Sequence, residues 1–196
     1  MKILFISLGC DKNLADSEEM LGLLTGSGHE IVDSEEDADA IVINTCCFIH
    51  DAKEESVNTI LEMAEYKKTG KCKALIVTGC MAQRYKEEIT QEIPEVDAVL
   101  GTTSYGDIVK ALNEAQAGHV FQEFRDINEL PEDSGRRVLT TGGHFGYLKI
   151  AEGCDKHCTY CIIPSLRGKF RSVPEERLLA QAEYMASQGV KELILV

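Results

Sequence analysis

No apolar run in this sequence approaches the roughly 20 residues needed to cross a bilayer, so a helical membrane span is not expected. The first run, Ile3 to Leu8, has six residues behind a single lysine and is too short for a secretory signal. No block of lysine and arginine occurs, and 20 Lys+Arg stand against 33 Asp+Glu, a net charge of −13. A surface of that sign repels phosphate backbones, which argues against a nucleic-acid groove. It suits a soluble protein or one with a basic protein partner. Internal repeats and low-complexity tracts are also missing. What is present is ordinary for a globular chain: 196 residues, 44% of them apolar, enough for one large domain or one domain plus part of another.

Eight cysteines are the exception. Without a secretory signal the expected compartment is the cytoplasm, where structural disulfides are rare. Clustered cysteines there more often bind metal or carry redox chemistry.

The pattern along the chain alternates short apolar runs with amphipathic stretches. Strands are expected at Lys2–Ser7, His29–Asp33, Ala40–Asn44, Ala74–Thr78 and Ala98–Leu100. Helices are expected at Asn13–Leu24, Lys53–Lys68, Gln83–Ile93 and Tyr105–Ala117. Alternation of this kind predicts an α/β fold with a mainly parallel sheet. Residues 120–143 lose the regularity. They hold Pro131, the acidic cluster Glu129–Asp133 and the pair Arg136-Arg137, and read as a linker that could carry a small hairpin. A new unit then starts: a strand at Phe145–Ala151, a cysteine loop, a helix at Pro174–Gln188 and a strand at Lys191–Val196. The expected organisation is an N-terminal parallel-sheet domain over 1–119, a linker over 120–143, and the truncated start of a (β/α) barrel over 144–196.

The loop Gly153-Cys-Asp-Lys-His-Cys-Thr-Tyr-Cys161 places Cys154, Cys158 and Cys161 at C-x3-C-x2-C spacing. An iron–sulfur cube normally takes four cysteines, so three leave one iron open for a substrate. Zinc on these three plus His157, a thioredoxin-type pair at Cys158 and Cys161, and a structural cluster with a distant fourth ligand are the alternatives. Cys10, Cys46 and Cys80 each follow an expected strand. Parallel sheets build sites at the carboxyl ends of their strands, so these three can converge on a second thiolate site. Buried free cysteines are the plain alternative. Cys47 could substitute for Cys46, and Cys72 in a polar turn reads as ordinary. Tyr160 could stack on a ligand or merely pack. Arg167, Lys169 and Arg171 could meet carboxylate or phosphate, or form a solvated loop. Lys149 and Glu152 read as site lining or sheet surface.

The triple-cysteine loop, with an aromatic before its last cysteine, resembles the radical S-adenosylmethionine (radical SAM) enzymes. Together with Ser7-Leu-Gly-Cys-Asp-Lys-Asn13, Asn44-Thr-Cys46, Thr78-Gly-Cys80 and Gly153-Cys154, the chain resembles the methylthiotransferase family along its whole length. The resemblance implies an auxiliary [4Fe-4S] cluster on Cys10, Cys46 and Cys80, and a radical SAM [4Fe-4S] cluster on Cys154, Cys158 and Cys161. It also implies S-adenosylmethionine as cofactor and a transferase reaction. One branch of the family modifies isopentenyl-adenosine in tRNA (MiaB-type). The other, RimO-type, modifies the β-carbon of an aspartate in ribosomal protein uS12. Gly9-Cys-Asp-Lys-Asn13 and the stretch from Gly142 to Cys158 resemble the RimO type, and the acidic balance agrees with a protein substrate rather than tRNA. An electron donor such as flavodoxin or ferredoxin is implied. With the barrel only begun, these residues alone are expected to be inactive. A cluster- or zinc-carrying binding fragment is the reading of another class.

Overall fold

Six short apolar runs assemble into one parallel sheet in the computed structural model, which describes residues 1–132, 135 and 137–196. Asp133, at the end of the acidic cluster, and Arg136, of the arginine pair, lie outside the described residues. The strands are β1 (Lys2–Ser7), β2 (Glu30–Val32), β3 (Ala40–Thr45), β4 (Ala74–Gly79), β5 (Ala98–Leu100) and β6 (Phe121–Glu123). They lie in the order β2-β1-β3-β4-β5-β6, with every neighbouring pair parallel. β3 and β4 are buried along their whole length, as central strands covered on both faces must be.

Alternate residues of each strand feed two apolar layers. On one face α1 (Asp11–Gly26) and α5 (Ile108–Gln116) set Met20, Leu24, Ile108 and Leu112 against Ile3, Val42, Ile76 and Leu100. On the other, α2 (His50–Thr69), α3 (Cys80–Arg84) and α4 (Lys86–Glu92) set Ile60, Met63, Met81 and Ile89 against Leu4, Ile41, Ile43, Leu75, Val77 and Val99. The α/β architecture with a parallel sheet is therefore the one the alternation predicts.

The elements differ from expectation in four places. The helix expected over 83–93 is two helices, because Tyr85 leaves the helical region at φ −121°, ψ 33°. Phe121–Glu123, inside the stretch expected to be a linker, adds a sixth strand parallel to β5. Phe121-Gln-Glu123 has a single apolar residue and so carries no strand pattern. The strand expected over 145–151 stops early. β7 (Phe145–Leu148) is followed by β8 (Ala151–Glu152), which pairs antiparallel with β9 (Arg171–Ser172).

Beyond the cysteine loop comes α6 (Ile163–Arg167), a helix absent from the expectation, and then α7 (Glu175–Ser187). β10 (Glu192–Leu195) returns parallel to β7, completing a βαβ unit. Among the described residues these strands do not close into a barrel. No helix of the described residues is long and apolar enough to cross a membrane.

The two units meet along α1, and the contact is ionic. Asn13, Asp16, Ser17, Glu18 and Glu19 are all buried on this helix. Asp16 pairs through one oxygen with Lys149 and through the other with Arg167 at 2.7 Å. Glu152 accepts from Lys149 at 2.9 Å and from Arg167 at 3.3 Å. Burial pushes the Lys149 amine down, but Asp16, Tyr105, Glu152 and Glu19 together outweigh it and hold the amine well above the ordinary lysine value. Burial likewise pushes the Glu152 carboxyl up. Lys149 and Arg167 overcome this and hold it down, at about 2. Two residues along from Asp16, Glu18 binds the Arg137 guanidinium at 2.7 Å and accepts the Thr140 amide at 2.7 Å.

Lys149→Met strips the two buried carboxylates of a shared cation. Breaking a buried pair from one side costs about 3–5 kcal/mol. We expect a loss of that size in urea denaturation, and a loss below about 1 kcal/mol would contradict the mutual dependence of these ions.

Candidate functional site

In doubly wound sheets of order 2-1-3-4-5, ligand crevices form at the carboxyl ends of the strands, where the strand order reverses. Here that point lies between β1 and β3. Cys10 follows β1 and caps the start of α1, Cys46 follows β3, and Cys80 follows β4 as the first residue of α3. Two glycines make the approach possible. Gly9 sits at φ +96°, and a Cβ there would come within 2.7 Å of Cys46 Cβ. Gly79 sits at φ +93°, and a Cβ there would strike Asn44 Oδ1 at 2.3 Å and the Thr45 carbonyl at 2.4 Å. Only glycine allows both the left-handed turn and this closeness.

Hydrogen bonds fix the first two turns to each other. Asn13 Nδ2 donates to the Leu8 carbonyl at 3.0 Å and the Thr45 carbonyl at 2.9 Å, tying the turn before Cys10 to the one before Cys46. Asn44 Nδ2 donates to the Asn13 carbonyl at 2.9 Å and to Ser17 Oγ at 2.9 Å. The Cys46 amide donates to Ser56 Oγ at 3.0 Å, and that hydroxyl donates back to the Cys46 carbonyl at 2.8 Å.

The result is a cavity of about 1090 Å³ with Cys10, Cys46 and Cys80 in its wall. Lys12, Phe48 and Ile49 belong to the same wall, and the second unit supplies Gly153, Ile163, Leu166 and Arg167. Cys10 is exposed, and Cys46 and Cys80 are buried. Burial pushes the Cys80 thiol up. The nearby Arg167 guanidinium pulls it down, while Cys46 and Cys10 push it up again. Cys47 turns the other way, into the core, where its Sγ donates to the Cys80 carbonyl at 3.3 Å. Burial, then the nearby Cys80, raises its thiol to about 11. Cys72 lies in the connection between α2 and β4 as expected, with its side chain buried in the same core and donating to the Ala74 carbonyl at 3.4 Å.

Among the described residues no three His, Cys, Asp or Glu side chains converge on a position for a single metal ion. An iron–sulfur cube takes each thiolate on a different iron, so its ligands stand wider apart than those of one ion. Three cysteines spaced round one cavity, on turns fixed from beneath, fit that donor set.

The second set lies on the loop that leaves β8. The Cys154 amide donates to the Gly168 carbonyl at 3.1 Å, and the Lys156 amide approaches Cys154 Sγ at 3.4 Å. The Cys161 amide closes a turn on the Cys158 carbonyl at 3.1 Å, and the Phe170 amide donates to Asp155 Oδ1 at 2.9 Å. Cys158 is exposed, and Cys154 and Cys161 are half-buried. None of the three lines the cavity, though their neighbour Gly153 does. Tyr160 is 91% exposed, so it does not merely pack.

Arg167, Lys149 and Glu152 are the residues whose place the sequence does not reveal. Arg167 could be a solvated loop residue by sequence, yet it is 5% exposed and held by Asp16, Glu152 and Asn13. Lys12 bridges the units from the other side, donating to the Ala151 carbonyl at 2.7 Å. The signal that existed was composition: Asp16, Glu18 and Glu19 on a helix with apolar spacing require cations from elsewhere if they are buried.

Residues 2–101 match the model of the family described as Uncharacterized protein family UPF0004, and residues 148–196 match that of the Radical SAM superfamily. The chain is 64% identical over 196 residues to the ribosomal protein uS12 methylthiotransferase RimO of Lachnoclostridium phytofermentans, all of this chain and 44% of that protein. It is 49% identical to the protein of that name in Clostridioides difficile and 48% to that in Trichlorobacter lovleyi, again over all of this chain and 44% of each relative. The chain thus spans less than half the length of these curated relatives. The first family match covers half of the chain, and the chain belongs to protein family UPF0004, with a radical SAM superfamily segment following its sheet domain.

Proposed function

We propose that this chain works as part of a radical SAM methylthiotransferase that adds a methylthio group to the β-carbon of an aspartate in ribosomal protein uS12. The observation that carries the proposal is the cavity whose wall joins three strand-end cysteines of the sheet domain to the edge of the C-x3-C-x2-C loop. Relatives carrying that name match all 196 residues, which supports the substrate class. The net charge of −13 favours a basic protein over tRNA. In this reading residues 1–119 form the auxiliary-cluster domain, 120–143 connect, and 144–196 begin the radical SAM domain. The setting is cytoplasmic, with a flavodoxin or ferredoxin as electron donor.

Cys154, Cys158 and Cys161 hold one [4Fe-4S] cluster, with one iron left for S-adenosylmethionine, and Cys10, Cys46 and Cys80 hold the second. When bound, these groups supply the electron that cleaves S-adenosylmethionine and the sulfur that is inserted. The protein's part is placement. Thiolates, not thiols, ligate metal, and the Arg167 charge favours the ionised form of Cys80. Tyr160, free of packing, is available to stack on S-adenosylmethionine. Phe48, Ile49 and Leu166 give the cavity apolar lining, which suits radical chemistry that water would quench.

The test uses full-length protein reconstituted anaerobically. About eight irons are expected, four on each set of cysteines. Cys154→Ala is expected to abolish S-adenosylmethionine cleavage, and intact cleavage would refute its role. Cys10→Ala is expected to keep cleavage while losing the methylthio product and part of the bound iron. Normal formation of thiolated uS12 by this variant would overturn the auxiliary assignment. One bound zinc and no cleavage in the unaltered protein would point instead to a binding module.

A further inference from the structure

We propose that Arg167 is a positioning residue of the auxiliary cluster, carried across from the second unit to donate to the sulfur of Cys80 and so set the cluster's reduction potential. This rests on the reading that Cys10, Cys46 and Cys80 hold that cluster.

The geometry centres on one oxygen. Asn13 Oδ1 accepts from Arg167 Nη2, and Cys80 Sγ lies 3.8 Å from the same oxygen. Both Arg167 and Cys80 line the cavity. As a thiol, Cys80 can donate to that oxygen. As a ligand it has no proton, and an acceptor would then face an anion. Asn13 cannot relieve this by turning its amide, because Nδ2 is committed to the Leu8 and Thr45 carbonyls. Arg167 Nη2 carries two protons, of which Asn13 takes one. The other is left for the sulfur that shares the Asn13 oxygen with it.

Arg167 is also held so that it cannot drift. Nη1 donates to Asp16 Oδ2 at 2.7 Å and to Glu152 Oε1 at 3.3 Å. Lys149 balances the second carboxylate, so Asp16 and Glu152 face two cations and the set is neutral. A guanidinium fixed by two buried carboxylates is a preorganised donor. Hydrogen bonds to the sulfurs and local charge are among the levers that set a cluster's potential. A residue that merely glued the two units together would not move that potential.

The experiment uses full-length protein in which Cys154, Cys158 and Cys161 are alanine, so that only the second cluster loads. Its potential is read by redox titration followed by electron paramagnetic resonance. Arg167→Met combined with Asp16→Asn removes the donor at constant net charge. The reduced-to-oxidised ratio at fixed potential is expected to fall about tenfold, a downward shift of about 59 mV for one electron. Arg167→Lys keeps the charge, guards against a double variant that does not fold, and is expected to shift the potential by a smaller amount in the same direction. Unchanged potentials in variants that bind about four irons would overturn the inference and leave the cluster assignment standing. If the parent with only Cys10, Cys46 and Cys80 binds no cluster, the assignment fails and the inference falls with it.

Discussion

Asp16 sits on the first helix of the chain with one oxygen on Lys149 and the other on Arg167. Those partners are 133 and 151 residues away in sequence. A carboxylate this deeply buried is tolerable only when its charge is met, and the same holds for the two cations and for Glu152. The four groups therefore stand or fall together. Satisfying them requires α1 of the sheet domain to lie against the strand and helix that flank the cysteine loop. The Glu18–Arg137 pair, two residues on, holds α1 at a second point.

That docking decides what the cavity is. Without the second unit, Cys10, Cys46 and Cys80 would line an open crevice at the edge of a sheet. With it, Ile163, Leu166 and Arg167 complete the wall, and Gly153 brings the start of the C-x3-C-x2-C loop to the rim. Chemistry that must pass an atom from one set of cysteines to a radical made at the other needs this proximity and needs water kept out. The ionic seam thus has a consequence beyond stability: it sets the separation of the two cysteine sets.

Beneath the cavity the detail is steric. Gly9 and Gly79 let the turns after β1 and β4 pass close to Cys46 and Asn44, and Asn13 ties two of the turns with one amide. The motif residues around the cysteines therefore have separate tasks. The cysteines present sulfur, the glycines make room, and the asparagines hold the backbone from which the sulfur projects.

The sequence by itself determined the α/β class, the five longer-recognised strands of the sheet, and the placing of Cys10, Cys46 and Cys80 at strand ends. It could do so because buried parallel strands read as continuous apolar runs and because topology puts loops at carboxyl ends. The spacing of Cys154, Cys158 and Cys161 was equally local. β6, α6 and the break at Tyr85 were not legible: Phe121-Gln-Glu123 lacks the apolar run that marks β2 and β5 at the same length, and the five residues of α6 carry too few turns to show a period. Only the tertiary structure decided that Cys46 rather than Cys47 faces the cavity, that Asp16 and Glu18 are buried, and that Arg167 reaches Asn13. Each of these depends on a partner more than 30 residues distant. An acidic residue on an amphipathic helix looks the same in sequence whether it faces water or a buried guanidinium, because the charge that stabilises it is not written nearby.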